Sequence, residues 1–128
     1  ELAANSMVAL NFYWDPLAIQ VRVQGTARQT SREESVDYWR GRPRKSQLSQ
    51  AISKQSQVAQ SRHQLEELVQ LAESRFRDTE VPCPENWGGY RVSPSHIEFW
   101  FGREHRLHDR FAFERQSDHS WTVNRLHP

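Results

Sequence analysis

Strand-forming sequence occupies both ends of this chain and helix-forming sequence lies between them, an order that constrains the fold more than any other feature. Met7–Trp14 and residues 18–28 are rich in β-branched and aromatic residues and are interrupted by Asp15-Pro16, which predicts an antiparallel pair. The C-terminal third predicts a β-meander, with strands over residues 90–92, 97–101, 107–115 and 121–126. A sheet built from both ends of a chain, with helices in the middle, is typical of the α+β class.

A first helix is predicted from its N-terminal capping signal. In Ser31-Arg32-Glu33-Glu34 the serine side chain can accept from the amide three residues later, and Glu34 can reach back to the serine amide. We therefore expect a helix over residues 32–40. Gly41 and Pro43 should end it, because both disfavour continuation of the helix.

A second helix is predicted after Ser61-Arg62-His63-Gln64, which repeats the capping-box pattern. Its apolar positions recur at helical spacing, at Leu65, Leu68, Val69, Ala72 and Phe76. Residues 45–60 are rich in Ser and Gln and are compatible with a short helix followed by a loop, so two or three helices are expected. Residues 81–84 contain two prolines and are predicted to be a connection.

The length and composition predict one domain with a thin core. Residues 1–128 give room for a single domain. Hydrophobic residues make up 36%, and the five glycines raise the apolar fraction to about 40%, below the usual ~45–50%. Aromatic residues reach 11%, which argues against disorder. The sequence begins at a strand without Met, so we interpret it as a fragment whose sheet edges are closed by further sequence or by another subunit.

Charge and cysteine content argue against several classes of partner. Seventeen Lys and Arg against sixteen Asp and Glu leave a net charge of +1, so no overall field attracts nucleic acid or an anionic membrane. Apolar runs fall short of the ~20 residues that a membrane helix needs. The single cysteine, Cys83, allows no internal disulfide and no cysteine-based zinc site. We expect a cytoplasmic protein with neither a nucleic-acid nor a membrane partner.

Tyr38, Arg42 and Ser46 form the first candidate site. A phenol and a guanidinium four residues apart share a helix face and can converge on one anion, and Ser46 can add a hydroxyl beyond Pro43. This mixture of donors suits a phosphate. The alternative is a solvated basic run, because Arg40, Arg44 and Lys45 lie close by in sequence.

Arg106, His108 and Arg110 form the second candidate site. At a spacing of two in an extended strand, their side chains are expected on one face of the sheet, where a row of donors suits an anionic ligand. The alternative is cross-strand ion pairing with Asp109 and Glu114. A metal site at His105 and His108 is not supported, because an odd separation places them on opposite faces.

Amide side chains form the third candidate set. Gln20 stands alone in an apolar strand, and Gln55-Ser56 lies in the polar middle of the chain. Amides offer a donor and an acceptor together, which suits the N/O edge of a heteroaromatic ring, although the same residues can be merely polar. Residues 87–90, Trp-Gly-Gly-Tyr, are interpreted as structural, because the glycines allow a turn while the rings pack.

Six separated motifs, taken in order, resemble the pyridoxamine/pyridoxine 5′-phosphate oxidase family. They are Gln20-Val21-Arg22-Val23, Arg42-Pro43-Arg44-Lys45-Ser46-Gln47, Ser53-Lys54-Gln55-Ser56, Trp87-Gly88-Gly89-Tyr90, Ile97-Glu98-Phe99-Trp100 and Arg106-Leu107-His108-Asp109-Arg110. The end of the sequence, residues 124–128, is similar to that family's chain end. The resemblance covers nearly the whole chain.

The resemblance implies an FMN-binding split β-barrel that works as a homodimer, with two flavin sites at the subunit interface. Its implied reaction is oxidation of pyridoxine or pyridoxamine 5′-phosphate to pyridoxal 5′-phosphate. FMN accepts a hydride from the C4′ carbon, and O2 reoxidises the flavin to give hydrogen peroxide. The chemistry belongs to the cofactor, and the protein supplies positioning and electrostatics.

Carried over position by position, the resemblance assigns each candidate residue a role. Tyr38, Arg42 and Ser46 correspond to the clamp on the substrate phosphate. Arg106 and His108 correspond to the catalytic and substrate-binding residues over the pyridine ring and its hydroxyl. The flavin ligands correspond to Gln20, Gln55, Ser56, Trp100 and Arg110.

The sequence also departs from the family pattern. Ile19 stands where the family usually has Arg, Ser49-Gln50 where it has Gly-Ala, and Phe101 where it has Gln. The family's N-terminal Arg-x-Val-Leu-Leu-Lys strand is absent, so residues 1–128 are expected to form a partial split barrel. One alternative is a non-catalytic dimerisation or phosphate-ligand-binding module. Another, a nucleic-acid binder using residues 40–45, is disfavoured by the near-neutral charge.

Overall fold

The protein, described here from a computed structural model covering residues 1–128, divides into two compact units. One unit comprises residues 1–29 and 90–128 and holds a β-sheet, and the other comprises residues 30–89 and holds the helices. We call them the sheet unit and the helical unit. This composition confirms the predicted α+β class.

The sheet unit contains five antiparallel strands in the order β1-β2-β3-β4-β5, so each strand pairs with its neighbours in sequence. The strands are β1 (Met7–Trp14), β2 (Ile19–Gln29), β3 (Tyr90–Phe101), β4 (Asp109–Arg115) and β5 (Trp121–Leu126). Short 3-10 turns lie at Asp15–Leu17 and Glu104–Arg106. The predicted bounds of the first and last strands agree with the structure.

One continuous strand, β3, replaces the two short strands predicted over residues 90–92 and 97–101. The predicted separation is wrong, because the strand continues through Pro94, where a register shift between Gln24 and Gly25 of β2 accommodates the proline. Gly25 makes this possible. A Cβ built there would lie 2.1 Å from the Ser93 carbonyl oxygen and 2.9 Å from the Pro94 Cα.

Replacing Gly25 by alanine should therefore destabilise the protein by about 1–3 kcal/mol, because backbone atoms of β3 would have to move. Gly41→Ala is the matched control. A Cβ there would meet only the Tyr38 carbonyl oxygen, at 3.6 Å, and the backbone is right-handed. We expect Gly41→Ala to change stability by less than about 1 kcal/mol. Urea unfolding of both variants measures the difference in the free energy of unfolding. Equal stabilities would contradict the conclusion that the register shift needs glycine at position 25.

One face of the sheet is apolar. In register across the sheet, Val21 pairs with Phe99 and Phe99 with Phe111, so their side chains share this face. Phe99 and Phe113 pack edge to face, with ring centroids 5.5 Å apart. At the β1 edge the same face is open to solvent, because Phe12 and Trp14 remain 45% and 46% exposed.

The helical unit has its own small core. Its helices are α1 (Arg32–Arg40), α2 (Arg44–Ile52) and α3 (Arg62–Arg75). The core residues are Trp39, Leu48, Ala72 and Val81. Trp39 is 2% exposed, and its indole Nε1 donates to the Val81 carbonyl at 2.9 Å, so the polar edge of the ring is satisfied. The region left open in the sequence thus begins with a helix, α2.

The two predicted capping boxes differ in the structure. Ser31 and Glu34 form the complete reciprocal box at the start of α1, as predicted. At α3, Ser61 accepts from the Gln64 amide at 3.1 Å, but the Gln64 side chain accepts from the amide of Gln60. The second capping box is therefore incomplete, because the Gln64 side chain accepts from the amide of Gln60 and not from that of Ser61.

The connection over residues 81–84 is held by an arginine from α1. Arg32 donates from Nη1 to the Pro84 carbonyl at 2.8 Å and from Nη2 to the Cys83 carbonyl at 2.6 Å. These bonds satisfy carbonyl groups that no regular element can pair. The predicted connection is confirmed.

Candidate functional site

Three of the predicted ligand-binding residues form a row across the sheet. Gln20 of β2 lies opposite Trp100 of β3, and Trp100 lies opposite Arg110 of β4. Directly opposed residues in antiparallel strands share a face, so an amide, an indole and a guanidinium stand side by side. All three are partly buried. The row combines an apolar ring surface with donors and an acceptor at its two ends.

Arg110 is held by a carboxylate that sequence reasoning did not single out. Its Nε donates to Oε1 of Glu98 at 2.8 Å, and its Nη1 donates to the carbonyl of His127 at 2.9 Å. Arg22 lies on the other side, with Nη1 at 3.8 Å from Glu98 Oε2. The hydrogen bond from Arg110 lowers the pKa of Glu98, and the same bond raises the pKa of Arg110.

One sequence signal could have identified Glu98. It is a lone acid between Ile97 and Phe99, in a strand whose neighbouring residues are large and apolar. A carboxylate that folds into such a strand is costly to bury unless a cation meets it.

His108 packs beside the row, with its ring tilted against that of Trp100. Its ring centroid lies 4.7 Å from that of Trp100, at an interplanar angle of 45°. The backbone amide of Arg103 donates to Nδ1 of His108 at 3.1 Å. Because Nδ1 accepts this hydrogen bond, the neutral imidazole carries its proton on Nε2, which is therefore a donor.

Neither Arg106 nor His108 lies on the strand that contains Arg110, so the prediction of three alternating strand residues is wrong. Strand β4 begins only at Asp109, and Arg106 ends the 3-10 turn that joins β3 to β4. The turn is tight and left-handed, with φ of 55° at His105 and 61° at Arg106. Such backbone conformations are strained for residues other than glycine and concentrate at functional sites. Arg106 is exposed and has no ion-pair partner in the chain.

Asp109 and Glu114, the acids predicted as alternative partners of Arg106 and Arg110, pair with other residues. Asp109 accepts from Arg103 at 2.9 Å and from Arg125 at 2.5 Å, and these bonds lower the pKa of its carboxyl. Glu114 lies 3.9 Å from His96. Neither acid pairs with Arg106 or Arg110.

In the helical unit, Tyr38 and Arg42 meet on the ring of Trp87. Tyr38 stacks on it with ring centroids 6.2 Å apart and an interplanar angle of 13°, and Arg42 Cζ lies 5.4 Å from the Trp87 centroid. Trp39 supports the same ring edge to face at 5.0 Å. Trp87 is therefore a packing platform, in agreement with its structural interpretation.

The shared helix face expected for Tyr38 and Arg42 is corrected, because α1 ends at Arg40 and Arg42 follows it. The turn continues far enough for the Arg42 amide to donate to the Trp39 carbonyl at 3.1 Å. Arg42 Nε is buried without a hydrogen-bond partner. Buried polar groups are usually satisfied, so this donor is suited to an acceptor brought by a ligand.

The remaining predicted residues also lie in the helical unit. Ser46 is in the first turn of α2 and is partly buried. Gln55 and Ser56 follow α2 in an exposed turn, where the Gln57 amide donates to the Lys54 carbonyl at 3.0 Å and Ser56 has a φ of 66°. They belong to a different unit from Gln20.

Two of the departures from the family pattern are cross-strand neighbours. Ile19 of β2 pairs directly with Phe101 of β3, at the end of the sheet where the row lies. Both side chains are partly buried, and Phe101 packs edge to face on Phe111 with centroids 6.4 Å apart. The two departures therefore form one apolar contact.

No group of three or more His, Cys, Asp or Glu side chains is arranged to hold a metal ion. None of the helices has the length and apolar character required to span a bilayer.

Two family models match the chain, one after the other. Residues 1–75 match the model described as pyridoxamine 5′-phosphate oxidase, and residues 87–128 match the pyridoxine 5′-phosphate oxidase C-terminal dimerisation region. Curated relatives include the pyridoxine/pyridoxamine 5′-phosphate oxidase of Rubrobacter xylanophilus, 52% identical over all 128 residues, and the pyridoxamine 5′-phosphate oxidase of Saccharomyces cerevisiae, 45% identical over 130 aligned residues. The chain spans 58% and 57% of their respective lengths.

Two solved structures have a similar fold. PhzG from Burkholderia lata, solved with tetrahydrophenazine-1-carboxylic acid, is 26% identical with a TM-score of 0.87, and the match covers 100% of this chain and 62% of PhzG. A pyridoxamine 5′-phosphate oxidase-related, FMN binding protein from Nostoc punctiforme is 12% identical with a TM-score of 0.73, covering 99% of this chain and 64% of that protein. The second likeness concerns the fold alone.

Proposed function

This chain belongs to the pyridoxamine 5′-phosphate oxidase family, and we propose that it supplies the substrate-binding and flavin-binding residues of an FMN-dependent oxidase. The proposed reaction converts pyridoxine or pyridoxamine 5′-phosphate to pyridoxal 5′-phosphate, with O2 as the electron acceptor and hydrogen peroxide as a product. From pyridoxamine 5′-phosphate, water is also consumed and ammonia is released. When bound, FMN supplies the redox chemistry, taking two electrons from the substrate's C4′ carbon and passing them to O2.

The observation that carries the proposal is the row of Gln20, Trp100 and Arg110 on one face of the sheet. A flavin needs a flat apolar surface together with donors and acceptors for its heteroatoms and its phosphate, and this row offers both. The guanidinium of Arg110 is already held by two partners, so less conformational freedom is lost when a ligand binds. The row therefore fits FMN. Gln55 and Ser56 are proposed as flavin ligands from membership of the family alone.

The substrate phosphate is assigned to Tyr38, Arg42 and Ser46. The buried, unpartnered Nε of Arg42 supports this assignment, because an anionic oxygen would satisfy it with a charge-assisted hydrogen bond. Tyr38 is 69% exposed, which leaves its hydroxyl accessible to the same anion.

Arg106 and His108 are assigned to the substrate ring and the reaction centre. Nε2 of His108 is the donor in the neutral tautomer, and it can hold the hydroxyl of a pyridine ring. Arg106 adds a positive charge that no acid of the chain neutralises. Their part is to orient the substrate and hold it in a reactive geometry.

The proposed assembly is a cytoplasmic homodimer. The description of the C-terminal family model as a dimerisation region supports it. So does the exposed apolar surface of β1, which includes Phe12 and Trp14.

A non-catalytic module that binds a phosphate ligand is the second candidate. It is favoured by one observation, the buried and unpartnered Nε of Arg42, which suits an anionic ligand whether or not a reaction follows.

The purified chain, mixed with FMN and pyridoxamine 5′-phosphate, distinguishes the two functions. We expect saturable quenching of flavin fluorescence together with peroxide formation, and Arg110→Ala should weaken FMN binding at least about tenfold by removing a charge-assisted contact. Arg115→Ala is the matched control, because Arg115 lies on the same strand at an odd separation and so on the other face. Binding without peroxide favours the module, and an absence of binding contradicts both.

A further inference from the structure

Glu98 is a buried carboxylate in the central strand of the sheet. It is 7% exposed and lies on the same face as Trp100, two residues along β3. Directly across the sheet from it are Arg22 of β2 and Ala112 of β4. A carboxylate in this position needs a cation to remain ionised, and the chain places two arginines beside it.

The two arginines contact Glu98 differently. Arg110 makes the short bond, from Nε to Oε1 at 2.8 Å, whereas Arg22 Nη1 lies 3.8 Å from Oε2, beyond hydrogen-bond distance. The Arg22 side chain is 49% exposed, while that of Arg110 is 28% exposed. The geometric restraint that Glu98 exerts therefore falls mainly on Arg110.

A second partner completes the restraint on Arg110. Its Nη1 donates to the carbonyl of His127 at 2.9 Å, after β5 has ended. With Nε and Nη1 engaged, the planar guanidinium has its orientation defined, and Nη2 is the nitrogen that remains for a ligand. Strand register places Arg110 on the same face as Trp100, and a carboxylate and a backbone carbonyl restrain the orientation of its guanidinium there.

We propose that Glu98 is a positioning residue, which holds the guanidinium of Arg110 beside Trp100 with Nη2 available to a ligand. The proposal rests on the function proposed above only for the identity of that ligand, FMN. Glu98 acts through Arg110 and needs no contact of its own with the flavin. A Glu98 that only stabilised the sheet would leave the FMN affinity of folded variants unchanged, whereas a positioning Glu98 lowers that affinity when it is replaced.

Hydrogen exchange of the arginine Nε–H groups in the 128-residue chain tests the restraint by NMR. The Arg110 resonance is assigned by its loss in Arg110→Lys. In the unsubstituted chain we expect the Arg110 Nε–H to exchange at least about tenfold more slowly than that of Arg40, which is exposed and pairs only within its helix. Glu98→Gln keeps an oxygen acceptor at the same position, so part of the protection should remain, whereas Glu98→Ala should abolish it.

Glu114→Gln is the matched control for loss of a nearby acid. Glu114 lies on the same face of the sheet, but its side chain is 58% exposed and faces His96. We expect this substitution to leave Arg110 exchange unchanged, with thermal unfolding confirming that each variant is folded. Equal protection of Arg110 in the unsubstituted chain and in both Glu98 variants would overturn the proposal, as would an equal effect of Glu114→Gln.

FMN titration of the same variants separates this proposal from the proposed function. Where the unsubstituted chain binds FMN, Glu98→Gln should weaken binding about threefold to tenfold, in step with its loss of Arg110 protection. If the unsubstituted chain fails to bind FMN, the proposed function fails for this chain, and the exchange measurement still decides whether Glu98 positions Arg110.

Discussion

Replacing Arg106 by alanine should lower kcat/KM for pyridoxamine 5′-phosphate at least about tenfold and leave the FMN content unchanged, measured in an active protein that contains these 128 residues. Arg106 is exposed on the turn between β3 and β4 and has no acid partner, so its charge is free to act on a substrate. Loss of one charged contact costs at least ~1.5 kcal/mol, which corresponds to this factor. Stability should change little, because no internal contact is lost.

Arg110→Ala should give the opposite pattern in the same protein. It should release FMN first, because its guanidinium lies in the row with Trp100, and turnover should recover when FMN is added in excess. A purely structural role for both arginines predicts similar losses of stability and flavin from either change. Full catalytic efficiency in Arg106→Ala would show that Arg106 does not act on the substrate.

Replacing Arg42 by alanine should weaken binding of a phosphorylated substrate by about 10-fold to 150-fold. The estimate follows from the ~1.5–3 kcal/mol of a hydrogen bond to a charged group. Arg42 Nε is buried and makes no hydrogen bond within the chain, so the substitution removes no internal hydrogen bond of that atom. Inorganic phosphate and pyridoxine, which lacks the phosphate, are each used to compete with the phosphorylated substrate. The two inhibition constants measure the effect of the substitution separately for the phosphate and for the pyridine ring.

The control for Arg42→Ala is Arg40→Ala. Arg40 is two residues away, its side chain is 70% exposed, and it pairs with Asp37 on the surface of α1. We expect phosphate binding to be unchanged in this variant. An equal loss of binding for phosphate and for pyridoxine in Arg42→Ala would indicate that the substitution disturbs the Trp87 platform rather than an anion site.

Elements whose determinants are close in sequence were predicted well. The start of α1 depends on a side chain and an amide three residues apart, and the complete Ser31–Glu34 box forms. The bounds of β1 and β5 follow from local runs of apolar and β-branched residues. The exception is the start of α3, where the Gln64 side chain accepts from the amide of Gln60. The sequence motif alone does not distinguish this amide from the adjacent one of Ser61.

Predictions about the candidate site were limited by contacts that are distant in sequence. Continuity of β3 through Pro94 depends on the absence of a side chain at Gly25, which lies on another strand. The position of Arg106 depends on a left-handed turn that alternation cannot indicate. Trp87 contacts Tyr38 within α1 and Arg42 beyond the end of that helix, so helical spacing predicted the right neighbours for an incomplete reason.

The sequence by itself determined the class of fold, the starts of α1 and α3, the sheet built from both ends of the chain, and the residue types that resemble a flavin-dependent oxidase. Local hydrogen bonds and side-chain alternation suffice for these, because they act within one element. The tertiary structure alone decided which partner each buried charge has. Glu98 and Arg110 are twelve residues apart and meet only through the register of β3 and β4. Burial makes an unpaired charge costly, so register and pairing are selected together when the sheet forms.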